Sequence, residues 1–252
     1  MHPVITEPMF YVFAVPAVIL LGLSKGGFQG LGTATTPMLA LYMPPLEAAA
    51  LILPVLMTQD AIAVWWYRHD WDAWNLKVML PGAIVGMCLA WALAAQITED
   101  HIRLIVGIIG VVFCIHAFSR RGVVEPKKPK AASGVFWGGM SGFTSFMSQA
   151  GGPPFQVHIL PQRMDKLILV GTSTMFFAVV NAFKIVPYFA LGQFSAKNFT
   201  TSLLLLPVAI ISNFAGIWLV QKTPTGIFYK IAYVLVFLIS LALLWRASRA
   251  IL

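Results

Sequence analysis

The sequence predicts an all-α, polytopic membrane protein built as two inverted repeats, each headed by a glycine-broken re-entrant or hairpin element and completed by three transmembrane helices. Three observations predict it. Of its 252 residues, 59% are hydrophobic and only 10% are charged, at a mean hydropathy of +0.82, far from the quarter-charged balance of soluble domains. Apolar stretches of membrane-spanning length recur from end to end with short polar links, which leaves no soluble domain of useful size. Glycine and proline interrupt two of those stretches, one in each half of the chain.

The first element, about 9 to 44, is apolar on both sides of the break "SKGGFQGLG" at 24–32. Helices follow at about 47–67, 76–96 and 102–118, each bounded by charge, Pro or Gly. A second broken element covers about 134–160, with helices at about 164–187, 198–221 and 226–246. The order of elements therefore repeats. Residues 1–118 read as the first transmembrane repeat, 119–132 as a basic cytoplasmic linker containing "SRRGVVEPKKPK", and 133–252 as the second repeat. An offset of 121 residues aligns Gly30 with Gly151, Leu46 with Leu167, Asp60 with Asn181 and Tyr67 with Tyr188.

Charge sets the topology. If each broken element enters and leaves on one side, each half makes an odd number of crossings and the halves are inverted. The links carrying Arg68, Lys77, Arg120, Arg121, Lys127, Lys128, Lys130, Arg163, Lys166 and Lys222 then share a side, which the positive-inside rule makes cytoplasmic. Arg103, Lys197, Arg246 and Arg249 fall opposite, with both termini periplasmic.

The net charge of +8 does not call for nucleic acid, because the cations lie mostly in these links. Residues 1–8 hold no Lys or Arg, so the first apolar segment is expected to stay rather than be cleaved as a signal peptide. Cys88 and Cys114 lie within apolar segments and suggest neither a disulfide framework nor a metal site. His69, Asp70 and Asp72 sit in "WWYRHDWDAW", where four tryptophans argue for an interfacial anchor rather than metal.

The chemistry concentrates at the breaks. Irregular backbone is tolerated in hydrocarbon only where protein or a wet cavity satisfies its polar groups. Gly26, Gly27, Gly30 and Gly32 allow a bend beside Lys25 and Gln29, and the chain from Thr33 offers a helix N-terminus; together they make a cradle for an anion. The plainer alternative is helix-packing glycines and a lysine that snorkels to the interface. The second half supplies Ser148, Gln149, Gly151, Gly152, Pro153 and Pro154 in the corresponding place. Paired interruptions of this kind point to a transporter's binding site.

Ionisable residues inside the membrane are the other clue, since each costs at least about 2.5–3.5 kcal/mol on insertion scales. Asp60 lies too deep in its helix to reach water and needs a partner or a proton, which makes it a proton-coupling or charge-balancing carboxylate. Lys184 is nearer a helix end, and Asn181 is the repeat equivalent of Asp60. His116 and His158 read as hydrogen-bonded core or interface histidines.

The segments "GLSKGGFQGLGTATTPML", "SQAGGPP" and "NAFKIVPYF" resemble the TauE/SafE family of sulfite and organosulfonate transporters, over nearly the whole chain. The resemblance implies a bacterial inner-membrane carrier with inverted repeats, moving sulfite, sulfonates or other small organic anions and coupled to protons. It carries over to Lys25, the glycines around it, Asn181 and Lys184. Where the family often has a simpler glycine turn in the second half, this chain has Pro153-Pro154. The expected partners are a small anionic substrate and the bilayer; no cofactor, catalytic residue or metal ligand is assigned, and nothing in the sequence assigns an oligomeric state. Alternatives are transport of another anion such as a carboxylate, an intramembrane enzyme acting on lipid-linked substrates, or a membrane assembly factor.

Overall fold

The computed structural model describes residues 4–28, 31–39, 42–43, 45–93, 96, 98–119, 126–190 and 195–251, and among these all regular structure is helical. The helices are α1 (Pro8–Gly26), α2 (Thr35–Leu39), α3 (Pro45–Trp66), α4 (Ala73–Leu93), α5 (Glu99–Ser119), α6 (Ala131–Ser148), α7 (Gly152–Ile159), α8 (Lys166–Ala190), α9 (Ala196–Lys222) and α10 (Thr225–Ile251). Among the described residues, six helices, α1, α4, α5, α8, α9 and α10, have the length and apolarity to cross a membrane. The helix α10 runs on to Ile251, past the expected end at 246. Hydropathy marks where the lipid core stops, whereas Arg249 continues the helix with its guanidinium 5.3 Å over the Trp245 ring.

Polarity is arranged for lipid. Val12, Val85, Val112, Ile211 and Leu238 are exposed, while Gln59, Asp60, Asn75, Asn181, Lys184 and Asn213 are buried. Satisfying polar groups internally and turning aliphatic side chains outward is what a hydrocarbon surround demands. The chain is a multi-pass membrane protein.

The chain folds into two compact units, Met1–His69 with Phe177–Thr223 and Asp70–Phe176 with Pro224–Leu252. Each takes helices from both halves of the sequence.

In the first unit the chain reverses after α1. Thr35 Oγ1 donates to the Ala17 carbonyl at 3.1 Å, the Tyr42 ring lies 5.8 Å from Phe10, and the Tyr42 hydroxyl donates to the Glu7 carboxylate. The first broken element is thus a hairpin that returns to the end where it began. α1 runs parallel to α9: Ile5 N–H donates to Thr201 Oγ1, Ser212 Oγ donates to the Val18 carbonyl, and Gly26 lies against Gly216. A Cβ on Gly26 would lie 2.5 Å from Gly216 Cα, so only glycine permits this crossing. Phe10, Ala14, Val18 and Leu21 pack with Leu51 and Val55 of α3 and Leu205 of α9 to form the core.

The second unit repeats the scheme with the other halves. α6 turns back through α7, bringing Ser133 within 3.2 Å of His158, and Lys127 N–H donates to the Pro161 carbonyl at 2.9 Å. α4 and α6 run parallel, with the backbone of Gly82 and Gly86 against Val135 and Gly139. α5 and α10 are antiparallel, with Gly107 beside Leu244, Gly110 beside Ser240, and Cys114 Sγ donating to the Tyr233 carbonyl at 3.5 Å.

Trp65, Trp66, Trp71 and Trp74 are all exposed, as amphipathic anchors are. Asp72 has a structural task between them: Oδ1 accepts the Asn75 backbone N–H at 2.7 Å and caps α4. Among the described residues, no three His, Cys, Asp or Glu side chains gather as a metal site.

Candidate functional site

Within the first unit, three helices bring the buried charges together. Lys25 lies in the last turn of α1, where a cation suits the negative end of the helix dipole. Its Nζ is 2.6 Å from Asp60 Oδ1 of α3, and the two side chains are 13% and 2% exposed. Asn181 of α8 donates from Nδ2 to Asp60 Oδ2 at 2.8 Å. One turn further, Lys184 Nζ donates to Asn181 Oδ1 at 3.4 Å, and Lys184 is buried. The result is a continuous row: Lys25, Asp60, Asn181, Lys184.

Asp60 and Asn181, aligned by the 121-residue offset, are in direct contact. With every group ionised the row carries two positive charges and one negative, a net +1. An uncompensated charge out of water costs several kcal/mol, so the row is a place where one negative charge is favoured.

Neighbouring polar residues fix the carboxylate's helix. Gln59 Nε2 donates to the Ala209 carbonyl at 3.2 Å, and Asn213 Nδ2 donates to the Gln59 carbonyl at 2.8 Å, tying α3 to α9 beside Asp60. Tyr67 Oη donates to the Gly26 carbonyl at 2.9 Å and so caps α1 next to Lys25. Sequence reasoning missed these three supporting residues. For Gln59 and Asn213 the available signal was an amide inside an apolar segment, which needs a partner in lipid.

The glycines of the first break serve the backbone. Gly27, at φ 139°, closes α1: its N–H reaches the Ser24 carbonyl and Phe28 N–H the Leu23 carbonyl, both at 3.1 Å. Those amides are spent on the helix end instead of being presented to a ligand. Gly26 is taken up by the α9 crossing, and Gly32 lies beside Leu21 and Ser24 on the returning arm of the hairpin. Gln29 and Gly30 lie outside the described residues.

The second break, in the second unit, keeps more donors available. Gln149 adopts a left-handed conformation at φ 56° to end α6, Ser141 Oγ donates to the Gly151 carbonyl at 2.8 Å, and Thr144 Oγ1 donates to the Ala150 carbonyl at 3.2 Å. Pro153 and Pro154 lack N–H groups, and Phe155 N–H bonds to the Gly151 carbonyl. The amides of Gly151 and Gly152 are therefore what the N-terminus of α7 has left to offer. A Cβ on Gly152 would meet nothing within 4 Å, so open space adjoins it. The Ser148 side chain lies outside the described atoms.

His158 belongs to a closed network. Its Nδ1 faces Ser133 Oγ at 3.2 Å and its Nε2 faces Asn75 Oδ1 at 3.1 Å, while Asn75 and Gln162 exchange amide hydrogen bonds at 2.9 and 3.0 Å. That is a hydrogen-bonded core histidine.

The family model described as "Sulfite exporter TauE/SafE" matches residues 14–243 of the chain. No curated protein and no solved structure matches the chain.

Proposed function

We propose, from the premise that this chain belongs to the sulfite exporter TauE/SafE family, that it is a secondary transporter of a small sulfur-containing oxyanion, sulfite or an organosulfonate, across the bacterial inner membrane. The family is one of transporters, so the protein is a membrane transporter and not an enzyme. The observation that carries the finer reading is the buried row of two lysines, one aspartate and one asparagine.

Lys25 and Lys184 supply the positive charge for the anion and Asn181 an orienting amide. Gln29, Gly30 and Gly32 of the first break are proposed as further contacts within the first unit. Asp60 is the coupling carboxylate. While ionised it occupies Lys25; once protonated it releases that ammonium to the substrate. The row carries +1 when empty, and +1 again when it holds one monoanion and one added proton on Asp60. Proton and anion then move together without net charge, and neither state buries an extra unpaired ion.

Inversion of the two repeats has support in the helix partners. Each broken hairpin packs against the third element of the other half, α1 with α9 and α6 with α4, and both pairs run parallel. The positive-inside rule then puts the basic linker in the cytoplasm and both termini in the periplasm.

The test is flux of labelled sulfite and organosulfonates into proteoliposomes, with a pH gradient and with an imposed membrane potential. Saturable uptake that follows the pH gradient and ignores the potential is expected, with saturable uptake lost in Lys25→Ala protein that elutes as wild type. Uptake driven by potential alone contradicts the charge count, and unchanged uptake in Lys25→Ala removes Lys25 from the site.

A further inference from the structure

A cavity lined by basic and aromatic side chains lies wholly within the second unit. It has a volume of about 1070 Å³ and is formed where the C-terminal end of α5, the segment 126–130, the first turns of α6, the end of α7 and the first turns of α10 come together. Five cationic side chains line it: Lys127, Lys128, Lys130, Arg163 and Lys230. No carboxylate is among its described lining residues. The nearby Asp165 does not line it, and its Oδ1 accepts the Leu167 N–H at 2.8 Å. The Lys127 backbone bond to Pro161 holds the basic segment over the cavity, so this concentration of charge is built in and not a loose tail.

The rest of the lining is largely apolar. Phe113, Phe118, Trp137 and Val234 belong to it, and two of these, Phe118 and Val234, are about half exposed on the outer faces of α5 and α10. In a membrane protein such outer apolar faces meet lipid, so the apolar wall continues from the cavity onto the hydrocarbon-facing surface. Arg163 joins the basic and aromatic parts of the lining, its guanidinium 5.3 Å over the Tyr229 ring and 5.9 Å from that of Tyr233. This stacking orients a planar donor fork, the geometry that suits phosphate oxygens.

We propose that this cavity binds the phosphate-bearing headgroup of an anionic phospholipid, with the glycerol and the first acyl carbons along the aromatic wall. Three features select a lipid over a small soluble anion. The cavity is far larger than a single oxyanion. Its charge is one-signed and sits at helix ends, the depth at which basic pockets between membrane helices take anionic headgroups. Its apolar side runs out to the bilayer, a continuity of use only to a ligand with a tail.

Native mass spectrometry of the full chain in detergent, with equimolar phosphatidylglycerol and phosphatidylcholine of identical acyl chains, tests the proposal. Retention of phosphatidylglycerol is expected, with about tenfold or greater preference. The preference falls in Lys128→Gln/Lys230→Gln, whose two positions are exposed and leave the packing untouched, and in Arg163→Gln; excess glycerol phosphate does not displace the lipid. Equal retention of both lipids, an undiminished preference in the folded Lys128→Gln/Lys230→Gln protein, or displacement by glycerol phosphate, which would make this a site for soluble anions, each overturns it.

Discussion

Replacing Asp60 by Asn keeps the side chain's volume and removes only its charge. In the row this leaves Lys25 and Lys184 facing a neutral amide, and the net charge rises from +1 to +2. Removing one partner of a buried ion pair costs about 3–5 kcal/mol. Asp60 is 2% exposed, so solvent screens it little, but Lys25 is 13% exposed and recovers some hydration; the lower end, about 3 kcal/mol, applies. For a chain of this size that is a fall in apparent melting temperature of about 6–12 °C. The double substitution Lys25→Met/Asp60→Asn returns the charge to +1 and keeps an apolar stem in the place of the lysine methylenes. It is expected to recover about 2 kcal/mol relative to the sum of the single changes, the coupling of a contacting pair. The assay is survival of the monodisperse peak after heating in detergent, for wild type, both single variants and the double. If the losses of the single variants simply add in the double, Lys25 and Asp60 do not interact, and the row does not hold together as a charge-balanced site.

Two further outcomes follow from packing and capping. Gly26→Ala puts a Cβ 2.5 Å from Gly216 Cα and 2.6 Å from Ile217 N, forcing α1 and α9 apart at a cost of about 1–3 kcal/mol; an unchanged melting profile would contradict the close crossing. Asp72→Ala removes the oxygen that accepts the Asn75 N–H and Nδ2–H and lowers stability by about 1 kcal/mol, whereas Asp72→Ser, another good cap, recovers most of it. Equal losses in both would show that Asp72 acts through its charge and not as a cap.

Much of the fold was legible because it depends on local properties. Hydropathy marks each helix regardless of its neighbours, so α3 at Pro45–Trp66 and α9 at Ala196–Lys222 lie close to the expected 47–67 and 198–221. Clustered glycines beside polar residues, and paired prolines after glycines, marked both hairpins, whereas single prolines such as Pro54 and Pro81 lie within unbroken helices. The candidate site was legible in its residues but not in its bonds. Lys25, Asp60, Asn181 and Lys184 each stood out as polar groups in apolar surroundings, yet the 2.6 Å ion pair joins residues on different helices. The first glycine cluster shows the limit most clearly. Its composition suits an anion, but whether an amide is free depends on which carbonyl lies opposite, and Gly27 and Phe28 close α1 instead.

The sequence by itself determined that this protein lives in a membrane, where its helices run and where they break, because lipid imposes those choices one residue at a time. Only the tertiary structure decided that the compact units draw on both halves of the chain, and that Asp60 lies between Lys25 and Asn181. Helix partners are chosen by small-residue surfaces such as Gly22 with Gly26 and Ser212 with Gly216, or Gly82 with Gly86 and Gly138 with Gly142. These share one four-residue spacing, so the pattern says that helices cross closely without saying which; shape complementarity along the whole interface makes that choice.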